Sequence, residues 1–193
     1  MTSLIFATNN QNKVVEVRSI LQDQFKIQSL TEAGIDIDIP EPFNTLEENA
    51  LEKARVIHKL TGENCFAEDT GLEVDALNGE PGVKSARYAG EERSFEKNIA
   101  KLLENLKDRQ NRYAQFKTII SLILNGEEHI FDGICKGIII ASPKGNSGFG
   151  YDPVFIPQGS NKTFAEMTLE EKNKFSHRKK AIEKLTRYLK TLK

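Results

Sequence analysis

Two adjacent acidic residues are the part of the sequence best suited to chemistry. Glu68 and Asp69 follow a short apolar run and precede Thr70 and Gly71, where the backbone is predicted to turn. Because consecutive residues of a strand point to opposite faces, an extended Glu68-Asp69 pair would not form a clamp by itself. With a distorted turn, or a carboxylate from elsewhere, the pair could hold Mg²⁺ and orient a water molecule. A solvated acidic turn is the simpler alternative.

A second polar group surrounds the predicted start of the first helix. A buried strand over residues 3–8 leads into a polar turn, and apolar residues then recur at helical spacing. Helix N-termini present free N–H groups to anions, whereas a lysine there disfavours the helix dipole. Lys13 is therefore either a contact for an anion or an ordinary surface lysine. The small polar residues beside it are Thr8, Asn9, Asn10 and Asn12.

Two further charged residues are candidates because of their surroundings. Glu41 lies between Pro40 and Pro42, which restrict its backbone and could present the carboxylate rigidly. A solvated loop acid is the alternative. Lys53 lies near the apolar stripe of a helix predicted to begin at Leu46. Its ammonium group either reaches solvent past that stripe or projects into a cleft to meet phosphate.

The segment 147–153 combines features that favour a ligand site. Gly148 and Gly150 allow the backbone to approach a ligand closely, and Phe149 could stack on a planar ring. Asp152 could accept a hydrogen bond from a ligand or hold the loop. A purely structural turn is the alternative.

His177 and Arg178 open a basic helix. Their side chains supply donors suited to carbonyl or phosphate oxygens. They belong to a run of basic residues that begins at Lys172 and continues to Lys193. Most of this run is interpreted as a solvated helix face, and its start as a positive wall that faces an anionic ligand.

The elements that must position these residues alternate between strand and helix. The predicted strands cover residues 3–8, 25–30, 113–124 and 130–141, and Asn125-Gly126 predicts a hairpin turn. Capping boxes at Thr45 and Thr168 predict two helix starts, and Ser94 is predicted to cap another helix. The segment 31–44 reads as irregular. This mixture indicates an α/β or α+β architecture.

Composition restricts the class of protein. The 193 residues are 38% hydrophobic and 28% charged, which is typical of one globular domain or of two lobes that share a core. The formal net charge of -1 argues against a general nucleic-acid binder. No apolar run predicts a membrane span or a signal peptide, and we expect no membrane partner. Cys65 and Cys135 lack metal-ligand spacing, and a reduced, cytoplasmic setting is expected.

Four blocks of the sequence, taken together, resemble the inosine triphosphate pyrophosphatase family. They keep the family's order and extend over nearly the whole chain. The blocks are Thr8-Asn9-Asn10-Gln11-Asn12-Lys13, the run from Ala67 to Gly90, Gly148-Phe149-Gly150-Tyr151-Asp152-Pro153, and Glu171-Lys172 to Ser176-His177-Arg178.

The resemblance implies an elongated, two-lobed α/β fold with a mixed sheet and a nucleotide cleft between the lobes. It implies one domain over residues 1–193, a homodimer, and Mg²⁺ as cofactor. The implied reaction hydrolyses non-standard purine nucleoside triphosphates, namely ITP, dITP and XTP, to the monophosphate and pyrophosphate. No nucleic acid is expected as partner.

The resemblance also assigns roles to individual positions. Asp69 matches the proton acceptor, and Glu41 and Asp69 match the metal site. Donors from His177 and Arg178 are expected to favour the 6-oxo group of inosine and xanthine over the adenine amino group. The positions that match substrate contacts are Thr8, Asn9, Asn10, Gln11, Asn12, Lys13, Lys53, Thr70, Phe149, Gly150, Tyr151, Asp152, Lys172, His177 and Arg178.

The sequence departs from the family pattern at three positions, none of which removes a charged group from the blocks. Glu68 stands where many members have Asp, Thr70 where many have Ser, and Lys179 where Gly is common. Two rival functions are kept. One is a related pyrophosphatase that prefers other bases, such as modified pyrimidines. The other is a non-catalytic nucleic-acid or nucleotide-binding protein that uses the basic C-terminal helix.

Overall fold

Strands and helices alternate along the chain in the computed structural model, which describes residues 3–21 and 25–192. Lys193, the end of the predicted basic run, lies outside the described residues. The strands are β1 Ser3–Phe6, β2 Lys26–Ser29, β3 Cys65–Val74, β4 Pro81–Gly82, β5 Tyr113–Leu124, β6 Glu127–Ile139 and β7 Phe155–Pro157. The helices are α1 Gln11–Leu21, α2 Leu46–Thr61, α3 Phe95–Asn105, α4 Leu169–Asn173 and α5 His177–Thr191. The predicted mixed α/β class is confirmed.

The chain divides into two compact units. Unit 1 comprises Met1–Asp69, Thr118–Gly133 and Arg178–Lys193, and unit 2 comprises Thr70–Lys117 and Ile134–His177. In unit 1, β1 pairs in parallel with both β2 and β3. In unit 2, β4 pairs antiparallel with β3, and β7 pairs antiparallel with β6. A single domain over residues 1–193 and a cleft between lobes stay predictions.

Strand alternation divides the core of unit 1 into two clusters. Leu4 and Phe6 of β1 pack in one cluster with residues of α1 and α5. Ile5 packs in the other cluster with Ala54 and Ile57 of α2. The same alternation continues in β3, where Phe66 joins the α1/α5 cluster and Cys65 and Ala67 join the α2 cluster. Each face of these strands is therefore covered by different helices.

The predicted turn at Glu68-Asp69 is wrong, because β3 runs without interruption from Cys65 to Val74. Gly71 is needed for a different reason. A Cβ atom at Gly71 would lie 2.7 Å from the carbonyl oxygen of Gly82 in β4. The glycine permits close approach of a neighbouring backbone, which is the other common reason for glycine in a strand.

Local signals in the sequence located the ends of several elements correctly. Thr45 caps α2 by accepting a hydrogen bond from the Glu48 N–H, and Gly62 ends the helix with φ 70°. Ser94 and Thr168 cap α3 and α4 in the same way. The hairpin between β5 and β6 turns at Asn125-Gly126, with φ of 53° and 84°. Because this turn needs only those two residues, β6 begins at Glu127 rather than at Ile130.

Unit 2 has its own core, in which α3 packs on strand residues. Ile99 and Leu102 of α3 belong to a buried cluster with Leu72 of β3, Phe116 of β5 and Phe155 of β7. Phe116 and Phe155 pack edge to face, with ring centroids 4.8 Å apart. None of the helices in the described ranges is long and apolar enough to cross a membrane.

Candidate functional site

The acidic pair of β3 is split between two faces of the strand. Glu68 follows the orientation of Phe66 and meets side chains of α1 and α5. Asp69 follows the orientation of Ala67 and meets a side chain of α2. Both carboxylates are buried, at 2% and 7% exposure. The pair therefore forms two separate ionic clusters instead of one clamp, as alternation requires.

Glu68 lies in a buried network of charges. Arg178 donates to it through Nε at 2.7 Å and through Nη2 at 2.6 Å. The remaining terminal nitrogen, Nη1, donates to Glu16 of α1. Lys13 Nζ lies 3.3 Å from Glu68 Oε1. The guanidinium group thus fixes two acids, and Glu68 in turn holds Lys13 in the first turn of α1.

The network keeps Arg178 charged in the interior. Burial opposes the charged form, but the carboxylates of Glu68 and Glu16 more than offset it, and the pKa of Arg178 lies above its ordinary value. These partners account for Nε, Nη1 and Nη2 of the side chain. Its position favours a role in orienting Glu68 and Lys13, and donation to a purine stays a prediction.

Asp69 lies in the second cluster, where Lys53 joins two acids. Lys53 Nζ is 3.1 Å from Asp69 Oδ1 and 2.6 Å from Glu41 Oε1. Lys53 therefore projects from α2 toward two carboxylates, and its side chain is mostly buried. The segment 31–44, which carries Glu41, has no helix or strand of its own.

Burial dominates the ionisation of Asp69. It raises the pKa of this carboxyl group, the charge of Lys53 lowers it, and the charge of Glu41 raises it, with the net pKa above the ordinary value. For Lys53, burial lowers the pKa, but Asp69 and Glu41 outweigh it, and the net pKa is raised. A buried carboxylate with a raised pKa beside a cation is suited to accepting a proton.

The donor set around Asp69 fits a Mg²⁺ ion that is shared with a ligand. Oδ2 of Asp69 is buried and has no hydrogen-bond partner in the part of the chain that is described. No group of three or more His, Cys, Asp or Glu side chains within residues 3–21 and 25–192 is arranged to hold a metal ion. Mg²⁺ commonly takes one or two carboxylates and completes its shell with water and substrate phosphates. Glu41 and Asp69 are the residues that could hold it.

The polar loop before α1 is built by its own side chains. Thr8 Oγ1 accepts from the Asn10 N–H, and Asn10 Oδ1 accepts from the N–H groups of Asn12 and Lys13. Asn10 thereby caps α1, which explains its position without a ligand. Asn9 donates through Nδ2 to the Ile37 carbonyl at 2.9 Å. Gln11 and Asn12 are exposed at the start of the helix.

Unit 2 brings together the predicted residues of the glycine-rich segment. Asp152 accepts from Lys172 Nζ at 2.6 Å and from the Phe149 N–H at 3.0 Å. A Cβ atom at Gly148 would lie 2.1 Å from Asp152 Oδ2, so only glycine fits there. Lys172 Nζ also lies 5.3 Å from the centre of the Phe149 ring. The Phe149 ring is half-buried. The segment is thus arranged around the ion pair between Lys172 and Asp152.

The other predicted residues of unit 2 have defined neighbours. Tyr151 is buried and donates through its hydroxyl to the Ser85 carbonyl at 2.9 Å, and burial raises its pKa. His177 is buried and stacks on Phe116, with ring centroids 4.7 Å apart. Thr70 is half-buried in β3. At the start of the basic run, Lys172 and Arg178 are buried in ion pairs. The positive wall predicted there stays a prediction.

Two residues of unit 1 were missed by the sequence analysis. Glu16 is 6% exposed on the otherwise apolar inner face of α1, and Asn49 is 0% exposed within the apolar stripe of α2. A polar residue among apolar ones at helical spacing is the signal that could have identified both.

Comparison with known proteins identifies the family of the chain. Residues 4–188 match the family model described as the Ham1 family. A dITP/XTP pyrophosphatase of Flavobacterium psychrophilum is 52% identical, over 97% of this chain and 98% of its own length. A dITP/XTP pyrophosphatase of Bacillus subtilis is 42% identical, over 98% of each chain.

Solved structures show the same fold. The Staphylococcus aureus Ham1 protein superposes with a TM-score of 0.90 at 40% identity, covering 100% of both chains. A Mycobacterium abscessus protein described as nucleoside-triphosphatase / dITP/XTP pyrophosphatase has a TM-score of 0.77 at 41% identity, covering 95% of this chain and 98% of its own. The resemblance found in the sequence is confirmed, and the chain belongs to the Ham1 family.

Proposed function

We propose that the chain hydrolyses non-standard purine nucleoside triphosphates, namely ITP, dITP and XTP, to the monophosphate and pyrophosphate. The observation that carries this proposal is the buried Asp69, whose carboxylate contacts Lys53 and has one oxygen without a hydrogen-bond partner among the described residues. Relatives that are 52% and 42% identical carry the name dITP/XTP pyrophosphatase. The reaction would remove non-standard nucleotides from the precursor pool.

In the proposed reaction, water attacks the α-phosphorus and the bond to pyrophosphate breaks. Asp69 accepts the proton of the water, for which its raised pKa is suited. Lys13 and Lys53 offset the negative charge of the phosphates, and Arg178 keeps Glu68 and thereby Lys13 in place. Mg²⁺ held by Glu41 and Asp69 would supply further positive charge against the triphosphate.

Substrate recognition is proposed for the residues that match family positions. In unit 1 these include the residues from Thr8 to Lys13, the last three of which form the first turn of α1. In unit 2 they are Thr70, Lys172, His177 and the segment from Phe149 to Asp152, in which the half-buried Phe149 ring could stack on a purine. We also propose a homodimer. The cytoplasm is the proposed compartment, since both cysteines are free and buried.

The experiment is pyrophosphate release from a panel of nucleoside triphosphates, with Mg²⁺ and with a chelator. We expect metal-dependent release from ITP, dITP and XTP, and little from ATP, GTP or modified pyrimidine triphosphates. Preferred release from the pyrimidine substrates would move the chain to the first rival function. A folded protein that releases pyrophosphate from none of them would refute the enzymatic proposal.

A further inference from the structure

A buried asparagine of α2 binds the backbone of the segment that carries Glu41. Asn49 Oδ1 accepts a hydrogen bond from the Phe43 N–H at 3.0 Å, and Asn49 Nδ2 donates to the Phe43 carbonyl at 3.1 Å. One side-chain amide thereby satisfies both backbone groups of one residue. With 0% exposure, Asn49 has exchanged its contacts with water for these two bonds.

The clamp matters because few hydrogen bonds fix the part of the segment around Glu41. Ile37 and Ile39 pack against the α2 cluster, but both precede Pro40 and Glu41. Residues 31–44 contain no helix or strand, and no backbone–backbone hydrogen bond is described for residues 36–42. Within the described residues, the side-chain bonds to the backbone of residues 36–44 are the one from Asn9 to Ile37 and the pair from Asn49 to Phe43. Without them, the backbone around Glu41 would gain conformational freedom, which costs free energy to remove.

Asn49 and Lys53 act on the same segment from the same face of α2. They are four residues apart, so their side chains lie one above the other on the helix. Asn49 holds the backbone of Phe43, and Lys53 Nζ contacts the carboxylate of Glu41, two residues earlier, at 2.6 Å. The helix therefore attaches the segment at two points, one of which is independent of charge.

We propose that Asn49 is a positioning residue that places the Glu41 carboxylate for metal binding. This inference rests on the proposed function, in which Glu41 and Asp69 hold Mg²⁺. The clamp fixes the backbone two residues from Glu41. It thereby keeps Glu41 near Lys53, which also contacts Asp69 of β3. Loss of the clamp would leave the Glu41 carboxylate in a range of positions, whereas Asp69 would keep its own.

Asn49→Ala tests the role through the metal requirement. We expect the Mg²⁺ concentration for half-maximal pyrophosphate release to rise about tenfold, as for other residues that orient metal ligands. The rate at saturating Mg²⁺ should change much less, since Asp69 and its partners remain. Hydrogen exchange at the amides of Glu41, Phe43 and Asn44 should become faster. Asn49→Ser, which keeps a polar atom in the site, should show the same pattern if the alanine variant folds poorly.

Asn98→Ala is the matched control. Asn98 is 2% exposed on α3 of unit 2, where Oδ1 accepts from the Ala89 N–H at 2.7 Å and Nδ2 donates to the Ala86 carbonyl at 3.0 Å. It is the same kind of clamp, applied to a segment that contains no proposed metal ligand. Its removal should lower stability but leave the Mg²⁺ requirement unchanged. An equal shift in both variants would overturn the proposal.

A double-mutant cycle with Glu41→Gln decides whether Asn49 acts through Glu41. If it does, Asn49→Ala should add almost nothing to the Mg²⁺ requirement of Glu41→Gln. Fully additive shifts would overturn the proposal, as would faster exchange at Glu41, Phe43 and Asn44 with an unchanged Mg²⁺ requirement. A wild-type protein with no metal-dependent turnover would instead refute the proposed function, and the positioning role with it.

Discussion

Neighbouring carboxylates of β3 acquire different properties because the strand directs them to opposite faces. Glu68 meets a bidentate arginine, and Asp69 meets a lysine that it shares with Glu41. Burial raises the pKa of Asp69 more than Lys53 lowers it. Glu68 is therefore tied into a fixed ion pair, whereas Asp69 keeps a buried oxygen that no described group bonds. This difference supports the proposal that Asp69 is the proton acceptor.

Asp69→Asn should lower pyrophosphate release from ITP by about 10²-fold or more, because an amide cannot accept the proton. In the wild type, kcat/KM should fall as the pH drops through the raised pKa of Asp69, since the protonated carboxyl group is inactive. The variant should lose this acidic limb. Asp75→Asn, at an exposed position in a turn, serves as control and should leave the rate unchanged. Near-normal turnover of Asp69→Asn would remove Asp69 from the role.

Arg178→Ala should destabilise the protein by about 3–5 kcal/mol, because Glu68 and Glu16 would remain buried without their cation. The control is Arg18→Ala, which breaks an exposed ion pair with Glu32 and a hydrogen bond to the Ile27 carbonyl, and should cost about 1–2 kcal/mol. Urea unfolding of both variants measures the difference. Similar free energies of unfolding for the two variants would show that the interior network contributes no more than a surface pair.

Individual elements show which parts of the fold are encoded locally. The caps of α2 and α4 and the hairpin after β5 depend on residues within a few positions of each other, and the sequence predicted them. The partners of Arg178 lie 110 and 162 positions away, at Glu68 and Glu16, so no local pattern indicates them. The continuous course of β3 was missed for a related reason. Gly71 is required by the close approach of Gly82 in β4, eleven residues away, and the two-residue strand β4 has no sequence pattern that would predict it.

Gly71→Ala should destabilise the protein by about 1–3 kcal/mol, since the new methyl group would overlap the Gly82 backbone. The added strain acts two residues from Asp69, so turnover should also fall. Urea unfolding and pyrophosphate release measure the two effects. Gly71 has no positive φ, so only the overlap acts there. Gly34→Ala, with φ 71° and no atom within 4 Å of the added Cβ, measures the cost of a positive φ alone for comparison. Unchanged stability and turnover in Gly71→Ala would show that β4 shifts without cost.

At the scale of the whole molecule, burial divides the cations of the C-terminal basic run into two groups. The formal net charge is -1, yet the C-terminal run is strongly basic. The cations at the start of this run are buried against Asp152, Glu68 and Glu16. The later ones are mostly exposed, and Lys184 pairs with Asp132. The solvated face predicted for most of the run therefore matches its later part. The positive wall predicted for its start stays a prediction.

This distribution separates cations that should act on a triphosphate from cations that should only face solvent. Lys13→Met and Lys53→Met should each lower turnover of ITP by about 10²-fold, because each removes a buried or half-buried charge that would offset the phosphates. The double variant Arg187→Glu with Lys190→Glu changes exposed charges of α5, which salt screens. We expect it to alter turnover by less than about twofold. Pyrophosphate release at low and high salt measures all three proteins.

The same variants test the nucleic-acid rival, whose binding would depend on exposed cations of α5. A binder of this kind would lose affinity for DNA steeply with salt and with each cation removed. Glu41 and Asp69 share one cation, Lys53, so the negative charge of this cluster in unit 1 would repel a bare polyanion. We therefore expect no salt-sensitive DNA binding by the wild type and no change in the helix variant. The rival would be favoured if Arg187→Glu with Lys190→Glu lost affinity for DNA while Lys53→Met kept it. Such a result would show that the functional charge lies on the exposed face of α5.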